Sequence, residues 1–222
     1  MRCRLVGSEM CIRDRGDAVA KIGADFEAGK ALALATQYVT AYYSAFVATR
    51  VMPGDKVLIQ AAAGGVGTAL TQLCKNRGCT IYGTAGSAHK LDYIKSNGVD
   101  FPINYREHDF ADVIKEPLDV VFDSLGGEAF KKGLKLLAPG GKIVGYGAAK
   151  QTDISNIFGK IKFGIDFGLF SPIQLLMQSQ AIIGINMLRI ADNRPDIMKY
   201  CLENLVEMAE KNEIDPHVGG MY

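Results

Sequence analysis

What this sequence lacks narrows what it can be. Charge of one sign is missing: 25 basic residues stand against 24 acidic ones, for a formal net charge of +1. The two signs are interspersed, so there is no electrostatic footprint for nucleic-acid phosphates or for an anionic lipid surface. No run of 18 or more uncharged apolar residues occurs, and no basic-then-apolar start ends in a small-residue cleavage site. A membrane-spanning helix and a secretory leader are therefore not expected, and a soluble, cytoplasmic protein is. Metal-ligand spacing is missing too. Cys3, Cys11, Cys74, Cys79 and Cys201 form no Cys-x-x-Cys pair, and His89, His108 and His217 lie far apart. Reduced thiols and no metal site are the expectation.

What is present is enough apolar residue, 48% of 222, to bury one large core. The chain is organised around Lys56-Val57-Leu58-Ile59-Gln60, then Ala61-Ala62-Ala63-Gly64-Gly65-Val66-Gly67, then Thr68 to Lys75. Val57, Leu58 and Ile59 have the length of a buried strand, while Val66, Leu70, Leu73 and Cys74 repeat at helical spacing. Strand, tight turn and helix place Ala62, Gly64 and Gly67 in the three positions of a dinucleotide fingerprint. Gly64 would let backbone approach a pyrophosphate, Gly67 would let the helix pack on the strand, and the helix N-terminus would face the phosphate charge. The competing reading is a glycine-rich turn without ligand, but further strand and helix pairs follow and favour the first.

Residues 1–15 show neither helical nor strand periodicity, and Ser8 to Arg15 has the look of translated sequencing adapter. They are set aside from fold reasoning as a non-native or disordered segment. Residues 16–30 read as the tail of another domain, 31–192 as the dinucleotide-binding domain, and 193–222 as a final helix and the start of a return. Inside the middle part, a helix carrying Tyr38, Tyr42 and Phe46 ends at Met52-Pro53-Gly54. Strands are expected at Thr80–Gly83, Phe101–Asn104, Asp119–Asp123, Lys142–Gly145 and Ala181–Ile185. Helices are expected at Ala88–Asn97, Phe110–Lys115 and Glu128–Leu137, with a last one opened by Pro195. The fold class is α/β, a Rossmann-type doubly wound parallel sheet in the order 3-2-1-4-5-6. The apolar segment Ile154–Met177 reads either as helices over the cofactor cleft or against another subunit, or as a membrane-surface helix.

An NAD enzyme places Asp or Glu against the ribose 2′-hydroxyl at the end of the second strand, about 20 residues past the turn. Here the residues are Gly83-Thr84-Ala85-Gly86-Ser87-Ala88-His89-Lys90, with no carboxylate before Asp92. A 2′-phosphate would find the Ser87 hydroxyl, helix N-terminal donors and the Lys90 ammonium. This favours NADPH. Ser87 can equally be the cap of its helix and Lys90 a solvated side chain, and the cap role is compatible with phosphate binding.

Tyr38 to Tyr42, Ala62 to Gly67, Gly83-Thr84-Ala85, Ile103-Asn104-Tyr105-Arg106, Asp123 to Gly127 and Pro139 to Lys142 together resemble the zinc-independent quinone oxidoreductases of the medium-chain dehydrogenase/reductase superfamily. Phe170-Ser171-Pro172-Ile173-Gln174-Leu175-Leu176 narrows the resemblance to the branch containing the vesicle amine transport protein. The resemblance implies NADPH held at Ala63, Gly64, Gly65, Val66 and Gly67, with Ser87, Lys90 and Tyr105 around the adenine ribose phosphate. It places Gly126, Tyr146, Gly147 and Thr40 on the nicotinamide side, though Tyr42 beside Thr40 can equally be core. It implies hydride transfer to a quinone or α,β-unsaturated carbonyl, with no protein nucleophile and no metal, and a homodimer in the full-length protein. The facing catalytic domain is almost absent, so the chain reads as an internal fragment, itself inactive. Two other functions share the fold: a non-catalytic nucleotide-binding or membrane-associated interaction protein, and an enoyl reductase module of a fatty-acid or polyketide synthase.

Overall fold

The structure is a computed structural model that describes residues 18–147 and 170–218. The adapter-like segment, Cys3 and Cys11, and most of Ile154–Met177 lie outside the described residues. Six parallel strands pair in the order β3-β2-β1-β4-β5-β6, as the alternating pattern predicts. They are β1 (Lys56–Ile59), β2 (Thr80–Ala85), β3 (Phe101–Asn104), β4 (Leu118–Asp123), β5 (Leu137–Gly145) and β6 (Ala181–Gly184). Strand side chains alternate between two cores, one on each face of the sheet. Val57, Ile59, Val120 and Phe122 join the larger core, while Leu58 and Val121 join the smaller one.

The larger core is closed by α3 (Gly65–Asn76), whose Ala69, Leu70, Leu73 and Cys74 are fully buried, and by an N-terminal helical run. That run comprises α1 (Ala28–Ala33) and α2 (Val39–Tyr42), joined and followed by π-type turns at Leu34–Tyr38 and Tyr43–Ala48. Periodicity predicts one plain helix here. The hydroxyls of Thr36, Thr40 and Ser44 each bond the carbonyl four residues back, at 2.8, 3.0 and 2.6 Å. Such back-bonding competes with the backbone ladder and accompanies the widened turns. The widening keeps residues at four-residue spacing on one face, and the Tyr42 and Phe46 rings meet edge to face at 5.0 Å.

On the same face lie α4 (Ala88–Ser96) and α9 (Pro195–Glu210), the latter through Cys201, Leu205 and Val206. The smaller core is covered by α5 (Phe110–Val113) and α6 (Gly127–Lys135). The helices α7 (Pro172–Gln178) and α8 (Met187–Asn193) flank β6; α8 is not expected from the sequence. Nor is the full length of β5: Leu137 pairs with Leu118, and the ladder resumes at Val120 with Lys142. Pro139-Gly140-Gly141 is a bulge inside the strand, with Gly140 at φ 86°. From the sequence, this strand is expected to begin only at Lys142.

The N-terminal helical run and the segment at Asp215 are both tied to α3. The buried Tyr38 hydroxyl lies 2.9 Å from Gln72 Oε1 and 3.0 Å from the Asp215 carbonyl, two acceptors for one hydrogen. Gln72 Oε1 also accepts the Asp215 N–H at 3.0 Å. Burial pushes the Tyr38 phenol well above its usual range. Replacing Tyr38 by Phe keeps the ring and removes the hydroxyl, while Gln72 Oε1 keeps the Asp215 N–H and the Asp215 carbonyl keeps Gln72 Nε2 as donors. The expected loss is that of one net hydrogen bond, about 0.5 to 1.5 kcal/mol, read as a lowered midpoint in urea unfolding at unchanged slope. An unchanged midpoint would show that the hydroxyl does not hold these segments together.

Candidate dinucleotide site

The turn after β1 is built by exclusion. Ala61 adopts a left-handed backbone at φ 51°, and its carbonyl accepts the Gly64 N–H at 2.9 Å. A Cβ on Gly67 would fall 2.5 Å from the Ala61 oxygen and 2.7 Å from Ala62 Cα, so only glycine fits. The close approach seats the start of α3 directly on the end of β1. Gly64 caps α3, and the first amide satisfied within the helix is that of Thr68, bonded to the Gly64 carbonyl at 2.8 Å. The N–H groups of Gly65, Val66 and Gly67 therefore lack helical acceptors. No acid stands in that first turn. The result is an uncompensated positive helix end beside two exposed glycines.

A buried bracket that sequence reasoning missed holds this turn. Thr84 Oγ1 accepts the Ala61 N–H at 3.1 Å and donates to Gln60 Oε1 at 2.8 Å, while the Thr84 carbonyl accepts the Ala62 N–H at 2.9 Å. Gln60 is 1% exposed, and its Nε2 has no hydrogen-bond partner among the described residues. The one sequence signal was a polar residue closing an otherwise apolar strand.

At the end of β2, Ser87 is the N-cap residue of α4 by position, yet its side chain makes no capping bond. Its hydroxyl is therefore unspent on the helix. Lys90 lies on the exposed first turn and makes no hydrogen bond or ion pair among the described residues. Tyr105, just past β3, lays its hydroxyl against Gly86, where a Cβ would meet Tyr105 Cζ at 2.6 Å. Glycine at 86 thus brings Tyr105 next to Ser87. Tyr105, Arg106, Gln60 and Leu125 line a cavity of about 310 Å³.

At the other half of the sheet edge, Asp123 Oδ1 accepts the N–H groups of Leu125 and Gly126 at 3.0 and 2.6 Å. This turns the chain tightly after β4, with Gly126 at φ 73° as the N-cap of α6. Gly147 lies against Ser124, where a Cβ would come 3.1 Å from the Ser124 carbonyl. The Tyr146 phenol is pushed up by burial, partly opposed by its hydrogen bond with the Ser124 side chain. Tyr146, Gly147 and Thr40 share a cavity of about 660 Å³ with Ile183, Ile185 and Met187. The expected residues thus fall into two groups along one edge of the sheet, with the Gly64–Gly67 turn at the end of central strand β1.

The three described cysteines, Cys74, Cys79 and Cys201, are free and buried, and burial lifts the Cys201 thiol to about 11. No group of three or more His, Cys, Asp or Glu among the described residues is placed to hold a metal ion.

A parallel sheet of this order, with a glycine-rich turn leading from its central strand into a helix, defines a Rossmann-type nucleotide-binding domain. The family model described as "Zinc-binding dehydrogenase" matches residues 65–203. The chain belongs to this family of oxidoreductases, within the medium-chain dehydrogenase/reductase superfamily and on its VAT-1-like branch. It is 34% identical over 200 residues to the human synaptic vesicle membrane protein VAT-1 homolog, covering 87% of this chain and 50% of that protein. The chain thus spans about half the length of such relatives. Among solved structures it resembles the nucleotide-binding subdomain of the enoylreductase domain of PpsC from Mycobacterium tuberculosis. There the TM-score is 0.70 and the identity 28%, over 83% of this chain and 98% of that one. It also resembles the quinone oxidoreductase from Thermus thermophilus, solved alone and with NADPH, at TM-score 0.72 and 25% identity, over 91% and 61% of the two chains.

The Gly67 contact can be tested directly. Gly67→Ala forces a methyl into backbone that cannot yield, and an overpacking loss of about 1 to 3 kcal/mol is expected, measured by chemical denaturation. A variant as stable as the parent would mean that α3 does not need this approach.

Proposed function

We propose that the chain is the NADPH-binding part of an oxidoreductase that passes hydride to a quinone or an α,β-unsaturated carbonyl. The observation that carries the reading is the bare N-terminus of α3. Three N–H groups with no acceptor among the described residues, no acid in that first turn and two exposed glycines make a cradle that fits a pyrophosphate. Support comes from the likeness to a quinone oxidoreductase solved in complex with NADPH and to a nucleotide-binding enoylreductase subdomain. The second likeness favours the enone acceptor and keeps the synthase-module reading as one form of the same chemistry.

In this reading Ala63, Gly64, Gly65, Val66 and Gly67 hold the pyrophosphate. Ser87, whose hydroxyl the helix does not use, Lys90 and Tyr105 hold the 2′-phosphate. Gly126, Tyr146, Gly147 and Thr40 bound the nicotinamide end, beside the cavity wall from Ile183 to Met187. When bound, the reduced nicotinamide supplies the hydride, so no residue of this chain is asked to be a nucleophile. Chelator-insensitive turnover by a homodimer in the cytoplasm belongs to the same proposal, and the outer edge of β6, which among the described residues pairs only with β5, offers room for a second subunit. A membrane-associated role is the second reading. It is favoured by Ile173, Leu176 and Met177 on α7, each more than 70% exposed. No helix among the described residues is long and apolar enough to cross a membrane.

Lys90→Ala is expected to weaken NADPH binding by roughly 1.5 to 3 kcal/mol, the range for hydrogen bonds to charged groups, and to leave NADH nearly unchanged in calorimetric titration. Equal losses for both cofactors would remove the 2′-phosphate assignment. For the whole protein, NADPH oxidation with 9,10-phenanthrenequinone in the presence of chelator is the matching activity assay. Flotation with vesicles in the absence of any such turnover would favour the second reading.

A further inference from the structure

Gln37 lies in the π-type turn Leu34–Tyr38, which packs against α3. The next residue, Tyr38, is locked onto Gln72 of α3 and onto Asp215, so the position of this turn relative to α3 is fixed. The Gln37 carboxamide occupies the space that a side chain at residue 65 would need. A Cβ on Gly65 would fall 2.6 Å from both Nε2 and Oε1. Gly67 is crowded by backbone that cannot yield, whereas the space beside Gly65 is filled by the end of a flexible side chain. That side chain makes no hydrogen bond among the described residues, although its amide has donors and an acceptor to satisfy. Gly65 is the first residue of α3, one of the three whose N–H groups lack acceptors. An unused amide and an unused helix end are therefore in contact.

We infer that Gln37 is a further phosphate-contacting residue, its Nε2–H donating to a pyrophosphate oxygen beside the backbone donors of α3. This rests on the dinucleotide reading above and extends it to the N-terminal helical run, which the fingerprint does not contain. The amide suits the task because it adds a donor without adding charge, and it can rotate to present Nε2 in place of Oε1. The same run carries Thr40, one turn further on, into the larger cavity. One rigid element thereby reaches both the pyrophosphate and the nicotinamide end.

The test uses the 222-residue chain, calorimetric titration and two probes: NADPH, and adenosine 2′-monophosphate, which has the 2′-phosphate but no pyrophosphate. Gln37→Ala is expected to weaken NADPH about tenfold, and Gln37→Glu, which sets a carboxylate against the phosphates, about a hundredfold. Both variants should bind adenosine 2′-monophosphate within about twofold of the parent chain, which also reports that they fold. NADPH affinity unchanged in both variants overturns the inference while leaving the dinucleotide reading standing. Tighter NADPH binding by Gln37→Ala also overturns it, since the side chain would then be a plug that the ligand must displace. A parent chain that binds neither probe overturns the dinucleotide reading, and the role of Gln37 with it.

Discussion

The approach of α3 to β1 at Gly67 is the constraint on which the rest depends. With a Cβ only 2.5 Å from the Ala61 oxygen, any other residue would lift the helix off the strand. The consequences run in both directions from that contact. Inward, it seats Ala69, Leu70 and Leu73 in the larger core. Outward, it aims the first-turn amides at the carboxyl ends of the strands, where the strand order reverses between β1 and β4 and opens a crevice. The packing that stabilises the domain and the polarity that fits an anion come from one close contact.

That contact is held from behind by hydroxyl and amide groups. Thr84 shares its hydroxyl between the Ala61 amide and Gln60, so the left-handed turn at Ala61, strained for a residue with a Cβ, is bonded on both sides. Neutral groups suffice for this. The charged pairs nearby lie at the surface, as Lys132 with Asp109 and Lys75 with Asp100 do, and surface pairs contribute little. The energetic weight sits in the apolar faces of the sheet and in this small polar bracket.

Strand positions were legible because each strand is a short apolar run set off by Gly, Pro or Asn, and helices fill the intervals. The parallel sheet followed from the alternation of strands and helices, and its order from the doubly wound arrangement that goes with a dinucleotide fingerprint. The close packing of α3 on β1 at Gly67, set by neighbours in sequence, was equally legible. What was hidden depends on meetings across the fold. Gln60 and Thr84 lie 24 positions apart, and Gln37 reaches Gly65 across a helix interface. Tyr105 came from resemblance, and its contact with Gly86 shows only in the folded structure. The π-type turns were missed because Thr36, Thr40 and Ser44 read as ordinary helix residues until their hydroxyls are seen to bond the preceding turn. The β5 bulge was missed because Pro-Gly-Gly in isolation spells a turn.

Lys30 and Asp215 stand 2.6 Å apart although 185 positions separate them, and a Cβ on Gly29 would touch Val218 at 3.1 Å. The pair is too exposed to hold the domain together; its meaning is geometric. The chain enters and leaves this domain through one doorway, so the whole sheet hangs as a loop from a single attachment point. A body mounted in that way can be grafted into another protein, or cyclically permuted through that point, without changing the order of its strands.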